Sequence, residues 1–178
     1  MHTKEQYLWS EKMKKILLSS FLAVIMLCAM VLPAYASEAF PESVQNSDGS
    51  TVIYYDDGSC ITISPVYVSE SEVSARAATQ TKTGSRDVTF TDTNGNVEWK
   101  YTLSATFSYV YGSSVSCTSS TYKNNIYDSS WTFSNGSATR SGNTAYGKGH
   151  YTKEVLFITT KNYDVDISVS CDKYGNIS

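Results

Sequence analysis

From Val97 to Tyr109 the chain alternates without a break. Val97, Trp99, Tyr101, Leu103, Ala105, Phe107 and Tyr109 are apolar or aromatic, and Glu98, Lys100, Thr102, Ser104, Thr106 and Ser108 stand between them. Successive side chains of a strand point to opposite faces, so this pattern builds a long β-strand with one buried face. A helix would need its apolar groups every three to four residues, and no such stripe appears after residue 36. Asn94-Gly95 precedes the run, and Val88-Thr89-Phe90 precedes that. If Asn94-Gly95 is a two-residue turn, Phe90 faces Trp99 and Val88 faces Tyr101, and large apolar pairs meet on the core side.

Further β-rich runs follow at Ser114 to Thr121, Ser129 to Ser134, Asn143 to Lys148, Thr152 to Thr160 and Tyr163 to Cys171. Polar breaks at Lys123-Asn124-Asn125, Asn135-Gly136 and Lys161-Asn162 separate them. About seven strands in about a hundred residues predict an all-β fold, an antiparallel β-sandwich with an immunoglobulin-like strand count. No internal repeat stands out. Upstream, Thr51 to Tyr55 and Cys60 to Ser64 flank Asp57-Gly58 and read as a hairpin with a type I′ turn.

The amino terminus is a targeting signal. Lys12, Lys14 and Lys15 precede an apolar run from Ile16 to Leu32, then Pro33 and Ala34-Tyr35-Ala36. Charged start, apolar middle and small-x-small end predict signal-peptide cleavage between Ala36 and Ser37 and a secreted product. The division expected is a signal peptide over 1–36, an acidic segment over 37–81 and a β-sandwich domain over 82–178. The acidic segment contains the hairpin of 51–64 and a linker over 65–81. It carries one basic and seven acidic side chains, against nine basic and eight acidic in 82–178. No basic field points to nucleic acid.

Export makes disulfides chemically available. Cys117 shares strand parity with Val115, and Cys171 shares it with Val165, Ile167 and Val169. A Cys117–Cys171 bridge between the sheets is expected, with Cys60 left over. Catalytic groups are sparse. His150 is the one histidine after the signal, which excludes a two-histidine metal site, and the cysteines lack zinc-ligand spacing. Neither a metal nor another cofactor is expected. Asp164 and Asp166 share a strand face and, with His150, are the candidates for a small hydrolase.

Tyrosine is the fuller lead. Tyr111, Tyr122, Tyr127, Tyr146 and Tyr151 sit at strand ends or breaks and form a candidate binding surface. Val155 and Phe157 join them, because a Lys161-Asn162 turn would set Ile158 opposite Val165 and Leu156 opposite Ile167. Val155 and Phe157 would then point outward, to be covered by the hairpin of Thr51 to Ser64 or by a partner. Tyr54-Tyr55-Asp56-Asp57-Gly58-Ser59, Lys82-Thr83-Gly84-Ser85, Asp128-Ser129-Ser130-Trp131 and Ser170-Cys171-Asp172-Lys173-Tyr174-Gly175-Asn176 resemble small secreted proteins of Gram-positive gut bacteria. That resemblance implies export and a single β domain, and it brings no catalytic residues. The function expected is a secreted, non-catalytic protein that binds an extracellular glycan, an envelope polymer or a protein surface, with membrane contact only through the signal segment before cleavage. The alternatives are a small secreted hydrolase and a bacteriocin-like product.

Overall fold

The structure is a computed structural model and describes residues 42–70, 79–156 and 158–178. The expected signal region and cleavage site, part of the expected linker and Phe157 lie outside the described residues. Ten strands follow one another with no helix among the described residues. They are β1 (Glu42–Gln45), β2 (Thr51–Tyr54), β3 (Cys60–Ile63), β4 (Tyr67–Glu70), β5 (Gln80–Thr91), β6 (Val97–Val110), β7 (Ser114–Ile126), β8 (Trp131–Ser141), β9 (Thr144–Val155) and β10 (Ile158–Ser170).

They form two antiparallel sheets. The larger runs β1-β2-β3-β5-β6-β7, and β4 continues along the β5 edge beyond β3. The smaller runs β10-β9-β8. The alternating face of β6 is the floor of the core: Trp99, Tyr101, Leu103 and Phe107 are all fully buried. Tyr151, Val165, Val169 and Cys171 meet them from the smaller sheet. The Trp99 and Tyr151 rings stack across the sheets at 3.7 Å. This is the predicted all-β sandwich; residues 82–178, where about seven strands were expected, hold six longer ones (β5 to β10), and four short strands precede them.

Four pentapeptides make the same turn: Asn46–Ser50, Tyr55–Ser59, Asp92–Asn96 and Asp172–Asn176. In each, the first N–H donates to the fifth carbonyl, and the glycine N–H donates to the first carbonyl. The glycine, always fourth, has φ between 79° and 85°. That is a type I turn closed by a left-handed glycine, with three loop residues. A type I′ turn needs positive φ at both central residues, and neither Asp57 nor Asn94 has it. The turns expected at Asp57-Gly58 and Asn94-Gly95 are therefore one residue longer. At β6 a bulge compensates: Thr91 pairs with Val97, Phe90 pairs with Trp99, and Glu98 is the extra residue. The expected Phe90–Trp99 and Val88–Tyr101 pairs are both present. Val97 is thrown outward and Glu98 inward. Asp48-Gly49-Ser50 and Asp57-Gly58-Ser59 recur nine residues apart, each leading into a strand. This is a short repeat that the sequence reading passed over.

Other boundaries move for physical reasons. Lys123-Asn124-Asn125 is inside β7, and Asn135-Gly136 is a bulge inside β8, where Asn135 has φ 54°. The runs of Asn143 to Lys148 and Thr152 to Thr160 are not separate strands. β9 continues through Gly147 and Gly149, because rings lie over those positions: a Cβ at Gly147 would fall 2.8 Å from the Tyr101 hydroxyl, and one at Gly149 would strike Phe133. Lys161-Asn162 is likewise within β10. The β9–β10 turn comes earlier, with Val155 paired to Ile158, so Val165 faces Gly149 and Ile167 faces Gly147. The expected pairs Ile158–Val165 and Leu156–Ile167 do not form.

The hairpin of β2 and β3 does not cover Val155, which is 47 % exposed. It extends the larger sheet, with Cys60 to Ile63 of β3 paired to Thr91 to Val88 of β5. The described residues all belong to one compact unit. Cys60, Cys117 and Cys171 are all free thiols. The expected Cys117–Cys171 bridge is absent: the Cys117 thiol faces the Ser119 carbonyl at 3.3 Å and the Cys171 thiol the Asp172 carbonyl at 3.4 Å. Burial raises the pKa of both thiols.

Candidate functional site

The expected tyrosine surface is dispersed. Tyr111 and Tyr127 are exposed at opposite ends of β7, the first beside Tyr174 at 5.4 Å. Tyr122 stacks on Tyr101 at 5.6 Å, and Tyr146 stands exposed on β9. Tyr151 is not on the surface at all. It is fully buried against Trp99, and its hydroxyl donates to Asn124 Oδ1.

The structure gathers other aromatic groups instead. Tyr55 opens the β2–β3 turn, Phe90 ends the apolar row of β5, Trp131 starts β8, and Tyr163 lies on β10. Together with Asp56, Asp57, Lys161 and Asn162 they line a cleft of about 320 Å³. Phe90 and Trp131 are buried and form its floor, with ring centroids 5.0 Å apart at 61°. Tyr55 lies 6.4 Å from Phe90, and Tyr163 lies 5.6 Å from Trp99. Both tyrosines are half-buried, while Asp56, Asp57 and Asn162 are exposed at the rim.

Lys161 organises the rim. Its Nζ donates to Asp57 Oδ2 and, at 2.9 Å, to Ser59 Oγ, and it stands 5.1 Å from the centre of the Phe90 ring. The Lys161 hydrogen bond, then those from Ser59, pull the Asp57 carboxyl down to about 2. Burial, then the neighbouring Tyr55 phenol, pushes Tyr163 up to about 12. Burial also raises Tyr55. Both phenols are thus neutral donors at ordinary pH.

A second lobe of about 380 Å³ shares Asp57, Phe90 and Lys161 with the first and reaches Thr160 and Val155. Its inner wall is Glu98, turned in by the bulge. Trp131 Nε1 donates to Glu98 Oε2 at 2.6 Å, and Lys153 Nζ donates to Oε1 at 2.7 Å. Lys153 also pairs with Asp128 at 3.4 Å. Burial pulls the Lys153 pKa down, but Glu98 and Asp128 carry it above its usual value.

The candidate hydrolytic residues lie on the other face of the smaller sheet. His150 is opposite Asp164 on one side and opposite Ser134 on the other. His150 Nδ1 lies 2.6 Å from Asp164 Oδ1. Asp166 pairs separately with Lys148 at 3.1 Å, so the two aspartates have different partners. A shallow depression of about 470 Å³ lies over His150, Asp164 and Asp166.

Sequence reasoning missed Tyr55, Phe90, Trp131 and Tyr163 as a group. They come from four strand regions spanning about a hundred residues, and only the topology joins them. The local signal was Tyr54-Tyr55-Asp56-Asp57, aromatic and acidic residues leading into a turn. Comparison of the chain with known protein families, with characterised proteins and with solved structures finds no match.

Proposed function

We propose that the chain is an exported, non-catalytic β-sandwich that binds glycan in the cleft of Tyr55, Phe90, Trp131 and Tyr163. The observation that carries this reading is the cleft itself. Aromatic faces line a groove whose rim offers planar and charged hydrogen-bonding groups, Asp56, Asp57, Asn162 and Lys161. Sugar rings present C–H faces that stack on such rings and hydroxyls that meet such rims. The two lobes joined at Lys161 suit an oligosaccharide better than a single sugar. A glycan array on the full chain, followed by calorimetry on the hits, tests this. Tyr55→Ala and Tyr163→Ala should each weaken binding about two- to tenfold, given about 0.5–1.5 kcal/mol per aromatic contact beyond area burial. Binding that ignores both substitutions would place the ligand elsewhere. Export is tested by N-terminal sequencing of the product in the medium, which should begin at Ser37.

The row of Ser134, His150 and Asp164 favours a second reading, a small hydrolase. A nucleophile, a base and an orienting carboxylate need this order, and the His150–Asp164 distance suits the base and its orienter. A fluorophosphonate probe should then label Ser134, and His150→Ala should abolish the labelling. An unlabelled chain removes this reading.

A further inference from the structure

The β9–β10 ribbon ends in an apolar apex. Val155 pairs with Ile158 at the end of the ribbon. Val155, Leu156 and Ile158 are 47 %, 86 % and 66 % exposed. In the sequence Phe157 completes a run of four apolar residues. Leu156 has φ 51°, a left-handed conformation that glycine or asparagine adopts easily and a leucine adopts at a cost. Tight hairpins usually put Asn-Gly or Asp-Gly at such a position. Here the chain holds a bulky apolar residue there, both strained and wet, and neither feature helps the isolated fold.

We propose that this apex is a lipid-docking tip, which inserts Val155, Leu156 and Ile158 among the lipids of a bilayer surface. The size of the patch selects the occupant. A specific protein interface takes about 20–30 residues and about 800 Å² from each partner. A patch of Val155, Leu156 and Ile158 falls far short of that, whether the partner is another protein or a second copy. A convex apolar tip needs only a fluid apolar medium to be covered, and a shallow depth of about 5–10 Å is enough.

The surrounding charges select the kind of lipid contact. The next pair on the ribbon is Glu154 with Thr159, a polar collar. Lys153 is held by Glu98 and Asp128, and Lys161 by Asp57. Neither lysine is free to seek anionic headgroups. Docking is therefore driven by apolar insertion, works on electrically neutral lipid and resists salt.

Flotation of the full chain with phosphatidylcholine vesicles tests the proposal. The chain should float with the vesicles, and 0.5 M sodium chloride should not release it, since salt screens charge and leaves apolar burial intact. Leu156→Asn combined with Ile158→Thr should lower the bound fraction at least tenfold. Asparagine tolerates the left-handed backbone, so the near-ultraviolet circular dichroism should be unchanged and the melting temperature equal or higher. Ile158→Trp keeps the tip apolar, and its added emission should shift to the blue with vesicles and be quenched by brominated lipid. Tyr55→Ala should leave flotation intact, which separates this tip from the glycan cleft. The proposal is overturned if the wild type does not float or if the tip substitutions leave flotation unchanged. Binding that requires anionic lipid and is lost in salt also overturns it. So does lipid-free self-association that the tip substitutions abolish, because the occupant is then a second copy.

Discussion

Glu98 shows how much one residue can carry when the backbone re-aims it. Alternation places it on the wet face, and the bulge turns it inward, where it accepts from Trp131 and Lys153. Glu98→Ala would leave the Trp131 indole N–H without its acceptor and the partly buried Lys153 ammonium with Asp128 alone. The expected cost is about 3 kcal/mol, read from urea unfolding, because breaking one side of a buried pair is expensive. Glu98→Gln keeps an oxygen for Trp131 and should cost less, about 1–2 kcal/mol. Equal losses for the two variants would mean that the charge opposite Lys153 carries the whole effect. Asp57 gives a pH signature of known sign. Its folded pKa is lowered from 3.8 to about 2, so its pairing stabilises the fold above about pH 4. That contribution is lost as pH falls toward 2. Asp57 is half exposed to solvent, which screens the pairing and keeps the effect modest. In melting curves taken across that window, Asp57→Asn should flatten the acid-side fall relative to wild type. A fall of unchanged steepness would show that Asp57 does not contribute.

At the scale of the element, β9 is the case where sequence signals mislead. Gly147 and Gly149 weaken a strand on propensity alone, and the sequence pattern ends one run at Lys148 and opens the next at Thr152, with Gly149 in the gap. In the fold they are the positions over which the Tyr101 and Phe133 rings lie. Gly149→Ala should therefore destabilise by about 1–3 kcal/mol through overpacking, although alanine is the better residue for a regular backbone. A neutral or stabilising result, read by thermal melting, would mean that Phe133 can swing aside at little cost. The same strand explains why the β9–β10 turn was misplaced. Lys161-Asn162 is polar and turn-like, whereas the chain turns at Leu156, which no turn preference selects. By contrast β6 was legible, because thirteen residues of strict alternation outweigh a one-residue error in its turn. The pairs Phe90–Trp99 and Val88–Tyr101 survive because the bulge absorbs the longer loop. Local patterns thus gave the strands with strong period-two contrast. Bulges, glycine notches under rings and the free thiols depend on neighbours distant in sequence, as do the four aromatic groups of the cleft.

At the scale of the whole molecule, composition and architecture divide the chain differently. Net charge separates residues 37–81 from 82–178, but the ladder does not follow charge. β3 hydrogen-bonds to β5 from Cys60–Thr91 to Ile63–Val88, and Ile61 is fully buried in the common core. Ile53, Ile63 and Tyr55 pack against that core from the same segment. Burying one isoleucine is worth about 1.5–3 kcal/mol, and the partly buried groups add to it. Removing residues 42–64 should therefore cost on the order of 5 kcal/mol, comparable with the entire stability of a typical domain. It would also bare the inner edge of β5 and take Asp57 and Ser59 away from Lys161. The expected outcome is that a fragment of residues 79–178 is unfolded, or melts far below the chain of 42–178, and binds no glycan. Full-length chain should show one cooperative transition in urea, reported alike by tryptophan emission from the core and by far-ultraviolet circular dichroism. A fragment that melts near the full-length temperature would instead show that β5 to β10 form a self-sufficient sandwich. The β1–β3 meander would then be an appendage, kept for the wall it lends to the cleft.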